Sequence, residues 1–246
     1  MEKTVFSFRR VEKKYLITHS QQEKLLKKIG HLLISDSYGR STVCSLYLDT
    51  PSWRLIRESI HAGAYKEKLR LRSYGTPDSE TPVFLEIKKK CKGVVSKRRV
   101  QLPLAQAMAY IADGEKPCGG QIMDEIDYAL RFYDHPKPAM LIACEREAYF
   151  GAEDPDLRIT FDTAIRCRHT NLQMEAGSEG ECLLAPEQVL MEIKTAGAMP
   201  LYLAEALDAL SLFPGRFSKY GTAYREIIKN KGVYDNACVF CESYIE

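Results

Sequence analysis

Short segments in which lysine and arginine alternate with apolar residues carry the chemical information in this sequence. The clearest is 66–72, which is Lys-Glu-Lys-Leu-Arg-Leu-Arg. Successive side chains of an extended strand point to opposite faces, so its four basic residues share one face and Leu69 and Leu71 the other. Arginine offers a planar fork of donors that matches phosphate oxygens, and lysine offers a point charge. The pattern predicts a strand face suited to a polyanionic ligand.

The same alternation recurs elsewhere with glutamate or aspartate among the basic residues. It is found in segments 83–88, 142–146, 157–162 and 191–194. Glu86 and Glu192 fall on charged faces, where a hard divalent cation would explain them, because Mg²⁺ and Mn²⁺ take one or two carboxylates together with phosphate oxygens and water. Phosphoryl transfer needs little more than such positioning and charge neutralisation. No Walker A motif is present, so a P-loop enzyme is not expected.

The distribution of charge is more informative than its total. The net charge is +2, yet residues 66–99 contain 11 Lys and Arg against 4 Asp and Glu, and the rest of the chain contains 24 against 29. Focused positive charge predicts a local anionic ligand rather than a generally basic protein. Acidic residues interrupt the basic faces and would repel a long duplex, so nucleic acid is not the expected partner.

Membrane insertion and disulfide bonding are not expected. No stretch approaches the ~20 apolar residues of a membrane span, and Met1–Arg10 lacks a signal-peptide apolar run. A cytoplasmic location is therefore expected, and the 8 cysteines are expected to be reduced. Cys238 and Cys241 form one CxxC pair, but a zinc site would need a second pair.

The hydrophobic pattern predicts an α+β protein. Strands are predicted at 5–17, 43–49, 64–74, 82–90, 94–101, 139–150, 157–167, 181–184 and 188–195. Helices are predicted at 20–32, 50–59, 103–112, 121–133, 200–212 and 218–230. We expect one domain over 1–232, a tail over 233–246 and a mobile loop over 171–181.

Amphipathic strands joined by short turns favour an antiparallel sheet or barrel. An ordinary sheet would bury its apolar face and expose its charges to water. A closed barrel would instead keep the charges inside and cover its apolar exterior with helices. The arginine-rich faces, and the amphipathic helices that need an apolar surface to cover, favour an antiparallel β-barrel with helices packed on the outside.

An ordered set of motifs resembles the VTC (vacuolar transporter chaperone) domain family, within the CYTH/triphosphate tunnel metalloenzyme superfamily. The motifs occupy 10–15, 45–50, 68–75, 84–88, 97–99, 145–149, 158–162, 191–194 and 217–220. Each is weak alone, but together they span about residues 9–225 in the order the family shows. The resemblance implies a barrel with a basic tunnel and an ATP–polyphosphate phosphotransferase that transfers the γ-phosphate of ATP to a growing polyphosphate chain.

The resemblance also implies roles for individual residues. Tunnel-lining catalytic residues would be Lys14, Arg70, Arg72, Lys88, Arg146, Arg158, Lys194 and Lys219. Additional phosphate-binding candidates are Arg98, Ser218 and Lys90, although Ser218 is equally well explained as a helix N-cap. Glu192 would be the main carboxylate for Mn²⁺ or Mg²⁺, with Glu86 and Glu12 as helpers.

Departures from the superfamily pattern bear on the choice of activity. Hydrolases and cyclases of the CYTH type usually begin Glu-x-Glu-x-Lys, whereas here Arg10 stands at the first acidic position. This disfavours a two-metal triphosphatase, but triphosphate hydrolysis stays an alternative. A non-catalytic domain that binds polyphosphate, inositol phosphate or nucleic acid is another. The sequence contains no channel, so export of a product would require a membrane-protein partner.

Overall fold

Antiparallel strands make up most of the regular structure. The computed structural model describes residues 11–37, 39–61, 63–92 and 94–229. The strands are β1 (Val11–Thr18), β2 (Leu33–Ser35), β3 (Ser41–Asp49), β4 (Tyr65–Tyr74), β5 (Pro82–Cys91), β6 (Val94–Pro103), β7 (Lys137–Gly151), β8 (Arg158–Arg168), β9 (Glu181–Cys182) and β10 (Gln188–Thr195). Among these, only the short β2 was not predicted.

The helices also follow the predicted order. They are α1 (His19–Ile29), α2 (Arg54–Ile60), α3 (Leu104–Asp113), α4 (Gln121–Phe132), α5 (Leu201–Ala209) and α6 (Lys219–Ala223). A 3₁₀ turn extends α1 over Gly30–Leu32, and a π-helical segment, Tyr224–Lys229, follows α6. Thr18 begins α1 with a capping box in which its side chain and that of Gln21 satisfy each other's backbone N–H groups.

The chain divides into two compact units. Among the described residues, the first unit comprises 11–41, 145–164 and 184–217, and the second comprises 42–144, 165–183 and 218–229. Strands β7 and β8 each contribute to both units. Each unit has its own hydrophobic core, which is described separately.

In the first unit the strand order is β1-β10-β8-β7, and β2 pairs with β7. The register places Lys14 opposite Glu192, and Glu192 opposite Thr160. On the apolar face, Ile159 and Ile193 are buried in one cluster with residues of α1 and α5, namely Leu25, Ile29, Leu203, Ala206 and Leu207. This confirms the predicted apolar face and its helical cover in this unit.

In the second unit the order is β7-β3-β4-β5-β6. Leu69, Leu71, Leu85 and Ile87 are fully buried. They share a core cluster with residues of α3 and α4, namely Leu104, Ala107, Tyr110, Ile111, Met123, Ile126, Ala129 and Leu130. The helices therefore cover the apolar face of these strands, as predicted, and leave the basic face on the other side.

The expected closure into a barrel is not found in the strand pairing. Strands β1 and β6 stand at the two ends of the strand order, and no pairing among the described residues joins them. The end strand β6 is exposed along Val94–Arg99. Its consecutive Lys97, Arg98 and Arg99 are of the kind that discourage the pairing of an edge strand.

The loop predicted to be mobile is held by two arginines of β8. Arg168 donates hydrogen bonds to four backbone carbonyl oxygens, those of Asn171, Gln173, Gly177 and Glu179, at 2.7–2.8 Å. Arg166 donates to the carbonyl and hydroxyl oxygens of Ser178. Gly180 lies so close to the backbone of Cys167 that a Cβ atom there would collide with it.

Some sequence-based expectations fall outside the described residues. These are the beginning of the first strand at 5–10, the tail over 233–246 and the Cys238–Cys241 pair. Within the described part of the chain, no helix has the length and apolar character needed to cross a membrane.

Replacing Leu71 by alanine tests the apolar face. We expect Leu71→Ala to lower the free energy of unfolding by about 2–5 kcal/mol, because it leaves a cavity in a core under α3 and α4. Leu16→Ala, at a side chain that is 46% exposed, serves as the control and should change stability by less than about 1 kcal/mol. Urea denaturation measures both. Equal losses would contradict the assigned faces.

Candidate functional site

The charged face of the second unit gathers basic side chains around one buried carboxylate. The register sets Arg70 between Tyr47 on β3 and Glu86 on β5, and Glu86 in turn lies opposite Arg99 on β6. Strand alternation thus brings polar groups from four strands to one face, while the leucines and isoleucines between them fill the core. We call Tyr47, Arg70, Arg72, Glu86 and Lys97 the Glu86 cluster.

Glu86 is the centre of this cluster. Its side chain is only 1% exposed. Its Oε2 accepts from Arg70 Nε at 2.8 Å and lies 2.7 Å from Arg70 Nη2, while Arg72 Nε is 4.0 Å away. Its Oε1 lies 2.5 Å from Lys97 Nζ. Three cations therefore surround one carboxylate, and the cluster keeps a net positive charge.

These contacts shift the pKa values of both partners. Burial alone would raise the pKa of Glu86, but Arg70, Arg72 and Lys97 overcome burial and lower it to about 2. Burial lowers the pKa of Lys97 to about 8, against the opposing effect of Glu86. The carboxylate is thus ionised at neutral pH, and it holds Arg70 with two of the five guanidinium N–H groups.

The C-terminal helix adds basic groups to the second unit. Lys68 Nζ donates to Ser218 Oγ at 3.2 Å, and the same oxygen accepts from the backbone N–H of Gly221 and caps α6. Ser218 therefore acts as the N-cap that the sequence suggested. Lys219 is the first residue of this helix, and Lys88 is half-buried on the face of Glu86. Lys90 is exposed near the end of β5.

The position of Arg98 corrects the expected assignment on β6. Arg98 lies opposite Ile87, on the helix-covered face, and its Nε is 3.6 Å from Glu125 of α4. The side chains that share the face of Glu86 are instead Lys97 and Arg99, and the Arg99 guanidinium lies 4.4 Å from the centre of the Phe84 ring. Three consecutive basic residues give no alternation signal, so only the register with β5 distinguishes them.

Tyrosines missed by the sequence analysis support Arg70. Tyr47 Oη accepts from Arg70 Nη1 at 3.2 Å, and the Tyr47 ring stacks on Tyr220 with centroids 4.3 Å apart. Tyr220 Oη donates to Asp49, whose carboxylate also accepts the backbone N–H groups of Leu55 and Ile56 at the start of α2. The alternation of β3, which puts Tyr47 and Asp49 on the charged face, was the available signal.

The first unit has its own charged face, with Glu192 as its main carboxylate. Glu192 is 7% exposed. Lys14 Nζ lies 3.2 Å from Glu192 Oε1 and 3.5 Å from Glu12 Oε1, and Lys194 Nζ lies 3.4 Å from Glu192 Oε2. The register on β1 and β10 produces this set, because it puts Lys14 opposite Glu192 and Glu12 opposite Lys194.

The arginines of the first unit are held by aspartates. Arg146 donates to both carboxylate oxygens of the fully buried Asp162, at 2.6 and 2.7 Å. Arg158 pairs with Asp36 at 3.1 Å, and its guanidinium lies 4.9 Å from the centre of the Phe150 ring. Such paired geometry fixes the orientation of each guanidinium.

The predicted glutamates differ in how well they suit a divalent cation. Glu192 and Glu12 suit one because their two carboxylates converge, each lying within 3.5 Å of the same atom, Lys14 Nζ. A cation held between them would complete its shell with phosphate oxygens. Glu86 does not, because three cations already surround it. No group of three or more acidic, histidine or cysteine side chains suited to a metal lies together in the described ranges.

Comparison with known protein families agrees with the resemblance drawn from the sequence motifs. The family model described as the VTC domain matches residues 9–228. The chain belongs to the VTC domain family. No curated protein gives a significant match to the sequence.

Solved structures support the fold. A candidate adenylate cyclase from Bacillus halodurans has 15% identity and a TM-score of 0.53, covering 85% of this VTC-domain chain and 95% of its own. A candidate adenylyl cyclase from Hippeastrum, described as having a dominant triphosphatase activity, has 16% identity and a TM-score of 0.53, covering 88% and 95%. At these identities the likeness concerns the fold alone, which is an α+β fold built on antiparallel strands.

Replacing Glu86 by a neutral side chain should make the protein lose less stability in acid than the wild type does. We expect Glu86→Gln to lower the free energy of unfolding by about 3–5 kcal/mol near pH 7, because it removes the counter-charge of three cations. Since the folded pKa of Glu86 is depressed to about 2 from its ordinary 4.5, wild-type Glu86 contributes fully above about pH 4.5. That contribution is lost as the pH falls toward 2.

The difference in the free energy of unfolding between wild type and Glu86→Gln should therefore become smaller as the pH falls from about 4.5 toward 2. Chemical denaturation at a series of pH values measures it. Glu58→Gln, at the exposed partner of Arg54, is the matched control and should differ little from wild type at any pH. A Glu86→Gln deficit that stays constant down to about pH 2 would contradict the assigned ion pairs.

Proposed function

We propose that this VTC-domain protein is a polyphosphate polymerase that transfers the γ-phosphoryl group of ATP to the end of a polyphosphate chain. The observation that carries the proposal is the Glu86 cluster, in which a buried carboxylate locks Arg70 beside Arg72 and Lys97 on a face from which the apolar core is excluded. Family membership supports the same class of ligand. A net positive, half-buried set of this kind suits a chain of phosphates.

The arginines supply affinity through charge-assisted hydrogen bonds. Each such bond to a phosphate oxygen contributes about 1.5–3 kcal/mol. Because Glu86 and Tyr47 already fix the guanidinium of Arg70, little rotamer entropy is lost when phosphate binds. We assign phosphate binding to Arg70, Arg72, Lys88, Lys97, Arg99 and Lys219 in the second unit, and to Lys14, Arg146, Arg158 and Lys194 in the first.

Mn²⁺ or Mg²⁺ is the expected cofactor, held by Glu192 with Glu12. When bound, such a cation neutralises charge on the transferring phosphate. Lys14 and Lys194 lie within 3.5 Å of these glutamates, so their ammonium groups would contact phosphate oxygens bound beside the carboxylates. In this assignment the negative charge of the Glu192 carboxylate is needed for turnover and not only for folding.

The reaction requires few groups besides these. The bond between the β,γ-bridging oxygen and the γ-phosphorus breaks, and a bond forms from a terminal oxygen of the polyphosphate chain to that phosphorus. The products are ADP and a chain that is longer by one phosphate. Because the attacking oxygen is already anionic, no proton acceptor is required, and positioning with charge neutralisation accounts for the catalysis.

Triphosphate hydrolysis is the second candidate. It is favoured by the Hippeastrum structure, which shares the fold and is described as having a dominant triphosphatase activity. The same cationic faces would serve if water replaced the terminal phosphate oxygen as nucleophile. Release of the polymer across a membrane would need a separate membrane protein as partner.

Replacing Glu192 tests the proposed activity. We expect Glu192→Gln to reduce Mn²⁺-dependent consumption of ATP at least a hundredfold while the melting temperature stays within a few degrees. The loss follows from removing the charged ligand of the cation. Glu58→Gln is the control and should retain full activity.

Gel resolution of the products distinguishes the candidates. A ladder of long phosphate chains from the wild-type protein supports the polymerase, and orthophosphate alone supports the hydrolase. Full activity of Glu192→Gln would remove Glu192 from the site.

The two faces of the sheet in the second unit provide a matched pair of arginine variants. We expect Arg72→Ala to weaken tripolyphosphate binding roughly ten- to hundredfold, since it removes a charge-assisted contact. Arg98→Ala removes the same side chain from the helix-covered face, where it pairs with Glu125, and should change the affinity less than about threefold. Isothermal titration calorimetry measures both, and equal effects would show that the response is to net charge only.

A further inference from the structure

We propose that Tyr47 binds the anionic ligand directly, as a neutral hydrogen-bond donor to a phosphate oxygen held by Arg70. The inference rests on the proposed function, in that it assumes phosphate groups on the charged face of the second unit. It adds to that site a residue which is not basic. Tyr47 also belongs to a strand, β3, that carries none of the residues predicted to bind phosphate.

The first observation is the unused hydrogen of the Tyr47 hydroxyl. Tyr47 is 7% exposed, and its Oη accepts a hydrogen bond from Arg70 Nη1 at 3.2 Å. That bond uses a lone pair of the phenol oxygen and leaves its own hydrogen to be donated. Across the described residues, no acceptor lies within hydrogen-bonding distance of it. A buried donor without an acceptor costs free energy, and a phosphate oxygen on Arg70 would satisfy it.

The second observation is that the ring of Tyr47 is held in place by Tyr220, which is itself held by Asp49. Tyr220 stacks on Tyr47 with an interplanar angle of 19°. Its own hydroxyl donates to Asp49 at 2.8 Å, and Asp49 is fixed by backbone N–H groups of α2. The Tyr47 hydroxyl is therefore positioned before a ligand arrives, which reduces the entropy lost on binding.

The electrostatic surroundings make this donor sensitive to pH. Burial would raise the pKa of Tyr47, but Arg70, Lys68 and Arg72 on β4 lower it to about 8. The other charged or titratable groups on this face are Glu86 and Lys88 on β5, Lys97 and Arg99 on β6, Asp49 on β3 and Tyr220 on α6. Loss of the Tyr47 proton removes the donor and puts a negative charge beside the phosphate, so ligand affinity should fall.

The test compares tripolyphosphate binding by wild type and Tyr47→Phe as the pH is varied. Phenylalanine keeps the ring and its stacking on Tyr220 but lacks the hydroxyl. We expect the dissociation constant of Tyr47→Phe to exceed that of wild type roughly tenfold below about pH 7. Above about pH 9 the ratio should fall to one or below, because most of the wild-type hydroxyl groups have then lost their proton.

The ratio of the two dissociation constants cancels the effect of two other titrations on the affinity. Protonation of tripolyphosphate affects both proteins equally, and so does the titration of Lys97, whose pKa is also lowered to about 8. A merely structural role for Tyr47 would give a ratio that does not change with pH. Calorimetry at each pH measures the dissociation constants, and thermal melts establish that the variant is folded.

Each outcome bears on a distinct claim. A ratio near one at every pH, or a ratio above one that is constant with pH, would overturn the role of Tyr47 and leave the proposed function standing. Failure of the wild-type protein to bind tripolyphosphate at any pH would overturn the proposed function and this inference together. A ratio that falls through about pH 8 supports the proposal.

Discussion

The burial of Glu86 is the interaction on which the second unit depends. A carboxylate that is 1% exposed can stay ionised only where cations compensate the loss of hydration, and three strands must be in register to bring Arg70, Arg72 and Lys97 to it. The three cations depend on the carboxylate in the same way. Three cations on one face would repel one another, so without the carboxylate they would be forced apart or into water. Strand register, the charge state of the face and the orientation of Arg70 are consequences of one ion cluster.

The first unit also compensates buried carboxylates with cations, but it pairs the residue types differently. There the arginines meet aspartates and the lysines meet glutamates, as Arg146 does with Asp162 and Lys14 with Glu192. A bidentate arginine–aspartate pair fixes a planar group in one orientation, whereas a lysine ammonium near a glutamate can rotate away on a flexible stem. The first unit therefore contains both fixed and movable cations. Movable ones are useful where a carboxylate must change its partner when a ligand binds.

Strand alternation predicted most of the charged faces but could not resolve every residue. Leu69 and Leu71 gave the orientation of β4 because basic and apolar residues strictly alternate there. Arg98 was misplaced because three successive residues of β6 are basic, and a shift of one residue exchanges the faces. Asp49 and Tyr220 meet although they are 171 residues apart, so no local pattern could pair them. Barrel closure was also beyond the pattern, which describes the faces of strands and not which edges pair.

The attachment of the 171–181 loop has a consequence for the freedom of its sequence. Arg168 contacts this loop through four carbonyl oxygens, and a carbonyl oxygen is present whatever the side chain. Most loop positions should thus accept other amino acids, and Gly180, which lies against the Cys167 backbone, should not. Lysine in place of Arg168 could not reach four acceptors spread around a planar group. The loop can therefore vary in sequence because Arg168 binds its backbone, whereas Arg168 itself cannot be replaced.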